Sequence, residues 1–181
     1  MKPTPTYRPY STGLTGLLIM CFLTLHNFCS AQIAVIVNPE NPVSEISVNQ
    51  LRAIFMGKQV YFDQGNDLIK LCDFETDLND FCEKLYGFSS KTMNKHWFQL
   101  IFSGTSANVP KKLNSPDELI QYISKNKSAI GYIDLKKIPE GLEGYKIISL
   151  DGKLPTSSGY FLSFIESISS LSTLTYAINS K

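Results

Sequence analysis

The amino-acid sequence predicts a layered α/β domain. Three observations carry that prediction: a β-branched run at Ile33-Ala34-Val35-Ile36-Val37, segments with apolar residues at helical spacing, and further short apolar runs between those segments. Strands that alternate with helices bury their apolar surfaces by laying the helices on a sheet. The first run ends at Asn38-Pro39, where a buried strand enters a loop that Pro39 and Pro42 hold in shape. Ser47 is placed to cap a helix in which Val48, Leu51, Ile54 and Phe55 recur, with Gly57 to stop it. After the turn residues Asp63 to Asn66, the stretch Leu68 to Cys72 reads as a second strand. Thr76 is the expected cap of a helix carrying Leu78, Phe81, Cys82 and Leu85 and closing near Gly87. Ser90 is the expected cap of a third helix through Met93, Trp97, Leu100 and Ile101, with a small polar loop from Ser103 to Asn108 behind it. Ser115-Pro116-Asp117-Glu118 is a helix start, with a capping serine, proline at the first position and acids in the first turn. That helix buries Leu119, Ile120 and Ile123. Ala129 to Ile133 and Tyr145 to Leu150 read as two more strands. From Ser157 onward the chain is rich in serine and threonine. Phe161, Phe164, Ile165, Ile168, Leu171 and Leu174 still keep helical spacing, which predicts an amphipathic C-terminal helix packed on the domain.

The chain has 181 residues, 43% of them apolar and 18% charged, which suits one domain or two small ones and excludes wholesale disorder. Seventeen basic against sixteen acidic side chains leave a formal charge of +1, too little for a field that grips nucleic acid. The first residues have a separate character. Lys2 and Arg8 precede the apolar run Leu14 to Leu25, and the small residues Cys29, Ser30 and Ala31 follow it. These are the parts of a secretory signal peptide, expected to be cut after Ala31, and the run falls short of the roughly 20 residues that span a bilayer. The sequence therefore divides into a signal peptide over 1–31, an α/β domain over 32–155 and a C-terminal amphipathic helix or tail over 156–181. Removing 1–31 leaves 15 basic and 16 acidic groups, one histidine (His96) and two cysteines. The mature chain is expected in the periplasm with no transmembrane segment. There Cys72 and Cys82 either pair as a disulfide or stay as two buried thiols.

Catalytic signatures are missing: the sequence holds no G-x-S-x-G elbow, phosphate loop, H-E-x-x-H or paired C-x-x-C. His96 lies beside Trp97 in an apolar-spaced segment and reads as a structural histidine. Asp73, Glu75, Asp77 and Asp80 alternate like a calcium loop, but Leu78 replaces the glycine and Lys84 the terminal acid, so they read as a solvated helix start. No metal, no cofactor and no enzymatic reaction is expected.

Four segments taken together resemble one family. They are Asn38-Pro39-Glu40-Asn41-Pro42-Val43, Gln50-Leu51-Arg52-Ala53-Ile54-Phe55-Met56-Gly57-Lys58, His96-Trp97-Phe98-Gln99-Leu100-Ile101-Phe102-Ser103-Gly104 and Ser128-Ala129-Ile130-Gly131-Tyr132-Ile133. Their order and spacing are similar to the small exported, periplasmic-binding-protein-like proteins related to the phosphate-binding components of ABC importers. The resemblance implies a single type II lobe with a layered α/β sheet and a C-terminal helix. It also implies a non-enzymatic substrate-binding role toward phosphate or another small oxyanion, and an ABC importer or another envelope protein as partner. The residues placed to line such a site are Asn38, Ser44, Thr76, Ser103, Thr105 and Ser106.

In that family the loop after the second strand supplies a hydroxyl and an arginine, which with backbone N–H groups at a helix start hold a phosphate. Here Glu75 falls near the expected serine and Leu78 near the expected arginine, leaving Thr76 as the hydroxyl donor. Carboxylates beside a phosphate oppose its binding. Two readings therefore stand side by side: a solute-binding lobe, and a lobe that has become an envelope protein–protein interaction module without ligand.

Overall fold

The structure, a computed structural model, describes residues 32–63, 67–104 and 108–163. In chain order the elements are β1 (Ile33–Val37), β2 (Glu45–Ile46), α1 (Val48–Phe55), β3 (Lys70–Phe74), α2 (Leu78–Tyr86), α3 (Ser90–Phe102), β4 (Lys111–Leu113), α4 (Pro116–Lys125), β5 (Ala129–Asp134), a 3₁₀ turn (Leu135–Lys137), β6 (Lys146–Ile147) and β7 (Ser149–Leu150). Five strands form one sheet in the order β4-β3-β5-β1-β6, and β2 pairs with β7 beside it. β3 runs parallel to β4 and β5, whereas β1 is antiparallel to β5 and β6. The α/β layering read from the sequence is the observed architecture.

Helices cover both faces, which is why β1 and β5 are buried along their whole length and read as continuous apolar runs. On one face α4 lies against β5 and β3. A Cβ at Gly131 would stand 3.1 Å from Leu119 Cδ1 and 3.2 Å from Cys72 Cβ, so glycine is what lets this helix settle. On the other face Tyr132 stacks on Phe81 of α2, centroids 3.7 Å apart, and meets Phe55 of α1 edge-on at 5.5 Å. α3 packs beside α2 and against the end of α1. Gly57 has φ +71 there, and a Cβ on it would come within 2.9 Å of the Trp97 ring. The His96 ring hydrogen-bonds the Met56 carbonyl at 3.0 Å, a structural role as expected.

Helix starts follow their capping residues. Ser47 and Gln50 form a capping box on α1, and the Ser115 hydroxyl accepts the Glu118 N–H at 3.1 Å on α4. Two caps shift by one residue from the expectation: Asp77 instead of Thr76 on α2, and Ser89 instead of Ser90 on α3. The second strand begins later than expected and runs on to Phe74, because Cys72, Asp73 and Phe74 pair with Lys111, Lys112 and Leu113 of β4. The sequence offered no sign of β4, a short edge strand whose two lysines break any apolar pattern. The single strand expected over Tyr145 to Leu150 splits at Ile148. Its N–H reaches Val35 at 3.1 Å while that of Ser149 reaches Ser44 at 3.0 Å, so the chain crosses from one sheet to the next.

Cys72 and Cys82 are free, buried thiols, which corrects the disulfide alternative. The physical reason is the sheet: Cys72 faces α4, Cys82 belongs to α2, and these helices lie on opposite faces. Burial pushes both thiols up to about 12, so neither is a ready nucleophile. At the far end, residues 157–163 form turns closed by Tyr160 and Ser163 N–H groups, and Ser163 bridges to Gln32. The signal peptide expected over 1–31 lies outside the described residues; of the C-terminal helix expected over 156–181, the stretch to Ser163, with Phe161, forms these turns instead of helix, and the rest lies outside the described residues. Among the described residues no helix is long and apolar enough to cross a membrane.

Candidate functional site

Strand direction decides which loops share an end of the sheet. β3 and β5 are parallel and both finish at one edge, where Glu75-Thr76-Asp77 and Asp134 with the 3₁₀ turn follow. β1 is antiparallel to β5, so Asn38 leaves at the opposite edge. Of the residues expected to line one site, Asn38 and Thr76 therefore lie at opposite edges of the sheet.

Each has its own local work. Asn38 is buried and donates its two amide hydrogens to the Ile123 and Ser124 carbonyls, both at 2.8 Å, while its oxygen accepts the Glu40 N–H at 2.8 Å. It ties the β1–β2 loop to the last turn of α4, whose carbonyls lack helical partners. Asn41 does the same with the Lys127 carbonyl at 2.9 Å. Ser44 is exposed, and its carbonyl accepts from Ser149. The Ser103 hydroxyl donates to the Leu100 carbonyl at 3.1 Å, at the end of α3. Thr105 and Ser106 lie outside the described residues.

Thr76 is the member of the set that sits among charged groups. The centre of that region is Asp77, 3% exposed, in the sequence one acid among those of the expected helix start. Asp77 makes no side-chain cap bond to α2. Its carboxylate turns instead toward the end of β5, accepting the Asp134 N–H at 2.7 Å, the Lys137 ammonium and the Thr76 hydroxyl at 3.4 Å. Lys137 also donates to the Thr76 hydroxyl at 3.3 Å. A backbone N–H, an ammonium and a hydroxyl are the donor set that holds an oxyanion. Here all three donate to an internal carboxylate, that of Asp77.

Other charges nearby reinforce the negative character. Asp134 caps the 3₁₀ turn by accepting the Lys136 N–H at 3.1 Å. Burial lowers the Lys84 ammonium from its ordinary value, against the opposite pull of Asp80, Asp134 and Asp77. Glu75 is exposed, and Leu78, at the position of the family's arginine, is buried in the core. Asp73 lies under α2, its carboxylate accepting the Tyr132 hydroxyl at 3.1 Å, and burial pushes it up to about 6. Among the described residues no three histidine, cysteine or acidic side chains gather closely enough to hold a metal ion.

No family model matches the chain, and no curated protein matches it by sequence. Solved structures do. A putative phosphate ABC transporter substrate-binding protein with bound phosphate from Clostridium perfringens aligns with a TM-score of 0.54 at 20% identity, over 70% of this chain and 48% of its own. PstS from Borrelia burgdorferi aligns with a TM-score of 0.52 at 18% identity, over 83% and 64%. An ABC-type phosphate transport receptor from Vibrio cholerae aligns with a TM-score of 0.50 at 19% identity, over 82% and 62%. The chain thus has the fold of phosphate-type substrate-binding proteins and spans less than two thirds of the length of each. Its structural neighbours are binding proteins.

Proposed function

We propose that this chain is an exported, non-enzymatic lobe of the substrate-binding-protein type that acts as an interaction module in the cell envelope. The observation that carries the reading is the Asp77 carboxylate, buried and held by the Asp134 N–H, Lys137 and Thr76. A phosphate entering there would strip a buried carboxylate of its partners and leave two anions side by side, an arrangement that costs several kcal/mol. The signal-peptide pattern of residues 1–31 supports export, and the placement of Asn38 at the sheet edge opposite Thr76 supports a role other than solute capture.

A second reading has its own support. The fold is that of phosphate receptors, one of them with phosphate bound, and Thr76 with Lys137 are donors of the right kind. Under that reading the chain binds phosphate or another small oxyanion and passes it to an ABC importer. Isothermal titration with phosphate and sulfate at low salt separates the two. The wild-type chain is expected to give no heat up to millimolar ligand. Asp77→Ser, which releases Lys137 and the Asp134 N–H, is expected to bind oxyanion measurably. Micromolar binding by the wild type would make the chain a solute receptor and overturn the interaction-module reading. A folded Asp77→Ser variant that binds neither ion would show that these donors do not compose an anion site.

A further inference from the structure

The C-terminal half of α3 carries an apolar face that no described residue covers. Phe102 is 80% exposed, Phe98 61% and Ile101 47%, and the two phenyl rings lie against each other with centroids 5.5 Å apart. Of the 13 residues in this helix only Met93 and Trp97 are buried. The helix carries exposed Lys91 and Lys95 and no carboxylate. Lys91, Lys95, Phe98 and Phe102 follow one another at steps of three and four residues, so they form one stripe along the helix.

We infer that this stripe docks on an anionic lipid surface, with Phe98, Ile101 and Phe102 entering the acyl boundary and the lysines reaching lipid phosphates. Aromatic rings gathered at the end of an exposed helix face, with lysines on the same stripe, are the arrangement of an interfacial anchor. The lysine stems lie along the apolar layer while the ammonium groups stay at the headgroups. Charge also argues against a second copy of the chain as the occupant. Packing α3 side by side and parallel on its symmetry mate would bring lysines together with no carboxylate on either helix to meet them. The area is small for that purpose as well: each ring offers at most about 200 Å², whereas a stable interface takes about 800 Å² from each partner. The inference is independent of what Asp77 does.

Trp97 makes the test specific, because it is the only tryptophan in the chain and neighbours Phe98. The apolar run Leu14 to Leu25 can enter vesicles by itself, so vesicle binding alone does not report on α3. Quenching of Trp97 by brominated lipid does. The full chain is mixed with vesicles containing brominated phosphatidylglycerol, and separately with vesicles of brominated phosphatidylcholine alone. Trp97 is expected to be quenched by the anionic vesicles, less by the neutral ones, and less again at high salt. The exposed-ring double variant Phe98→Ser/Phe102→Ser should lose at least tenfold in apparent partition, and Lys95→Ala about fivefold. Both should keep the wild-type unfolding temperature, since neither touches the core. Bound protein with unquenched Trp97, or equal quenching in the double variant, would overturn the inference. So would a concentration-dependent dimer in sedimentation that Phe102→Glu dissociates, which would assign the face to a second copy.

Discussion

Asp73 gives the fold a pH dependence whose sign can be worked out. It is 5% exposed on the face of β3 beneath α2, and the Tyr132 hydroxyl donates to it at 3.1 Å. Burial raises it from 3.8 to about 6; the Tyr132 hydrogen bond and Lys112 pull it down, and Glu75 pushes it up. Below the unfolded value both states hold the proton and the group is neutral in its effect. Between about 4 and 6 the folded chain keeps the proton that the unfolded chain has lost, so stability falls as pH rises through that window. The interval corresponds to roughly 3 kcal/mol, fully lost above the folded value. Asp73→Asn keeps volume and an acceptor for Tyr132 but does not titrate. Its amide hydrogens add a penalty that is the same at every pH, so the informative quantity is the pH dependence of the difference between the two proteins. Urea unfolding followed by Trp97 fluorescence at pH 4 and pH 7 should show the variant gaining up to about 3 kcal/mol on the wild type between the two conditions. Parallel stability profiles for the two proteins would refute the reasoning.

Gly57→Ala should destabilise the fold by about 2 to 4 kcal/mol, because a left-handed φ and a Cβ pressed into the Trp97 ring add up; a thermal unfolding shift equivalent to less than about 0.5 kcal/mol would mean that the ring swings aside freely. Ser47→Ala removes the capping box on α1 and should lower stability by about 1 kcal/mol in the same assay. Alkylation followed by peptide mapping should leave Cys72 and Cys82 unlabelled in the native protein and label both on unfolding without reductant; labelling that requires reductant would show a disulfide instead.

Much of the architecture was legible because local chemistry dictates it. A short β-branched run bounded by Asn38-Pro39 favours a buried strand, and it is β1. Ser47 and Ser115-Pro116 start helices because a hydroxyl can satisfy an orphan N–H and proline lacks one to orphan. The four-segment resemblance led to the same fold that the solved phosphate-type binding proteins display. The elements that were missed are those without a local signal: β2 is two residues long, and β4 is made a strand by its partner β3.

The candidate site was legible only in outline. The sequence places the Thr76 hydroxyl within an acid-rich helix start, and from spacing alone Asp77 is one acid among several. Which of those acids meets Lys137 depends on β3 and β5 ending at the same edge of the sheet, a pairing across about 60 residues that no local pattern encodes. The antiparallel course of β1, which sends Asn38 to the other edge, is equally invisible in the sequence, because a fully buried strand reads the same in either direction. By itself, then, the sequence determined the periodicities, the caps and hence the α/β class of this chain, since these rest on contacts within a few residues. Only the tertiary structure decided that the buried Asp77 carboxylate meets Lys137 and the Asp134 N–H, that the two thiols lie on opposite sides of the sheet and that no described residue covers the α3 rings. Each of these depends on strand direction and on which face a helix covers, and those are set by packing between distant segments.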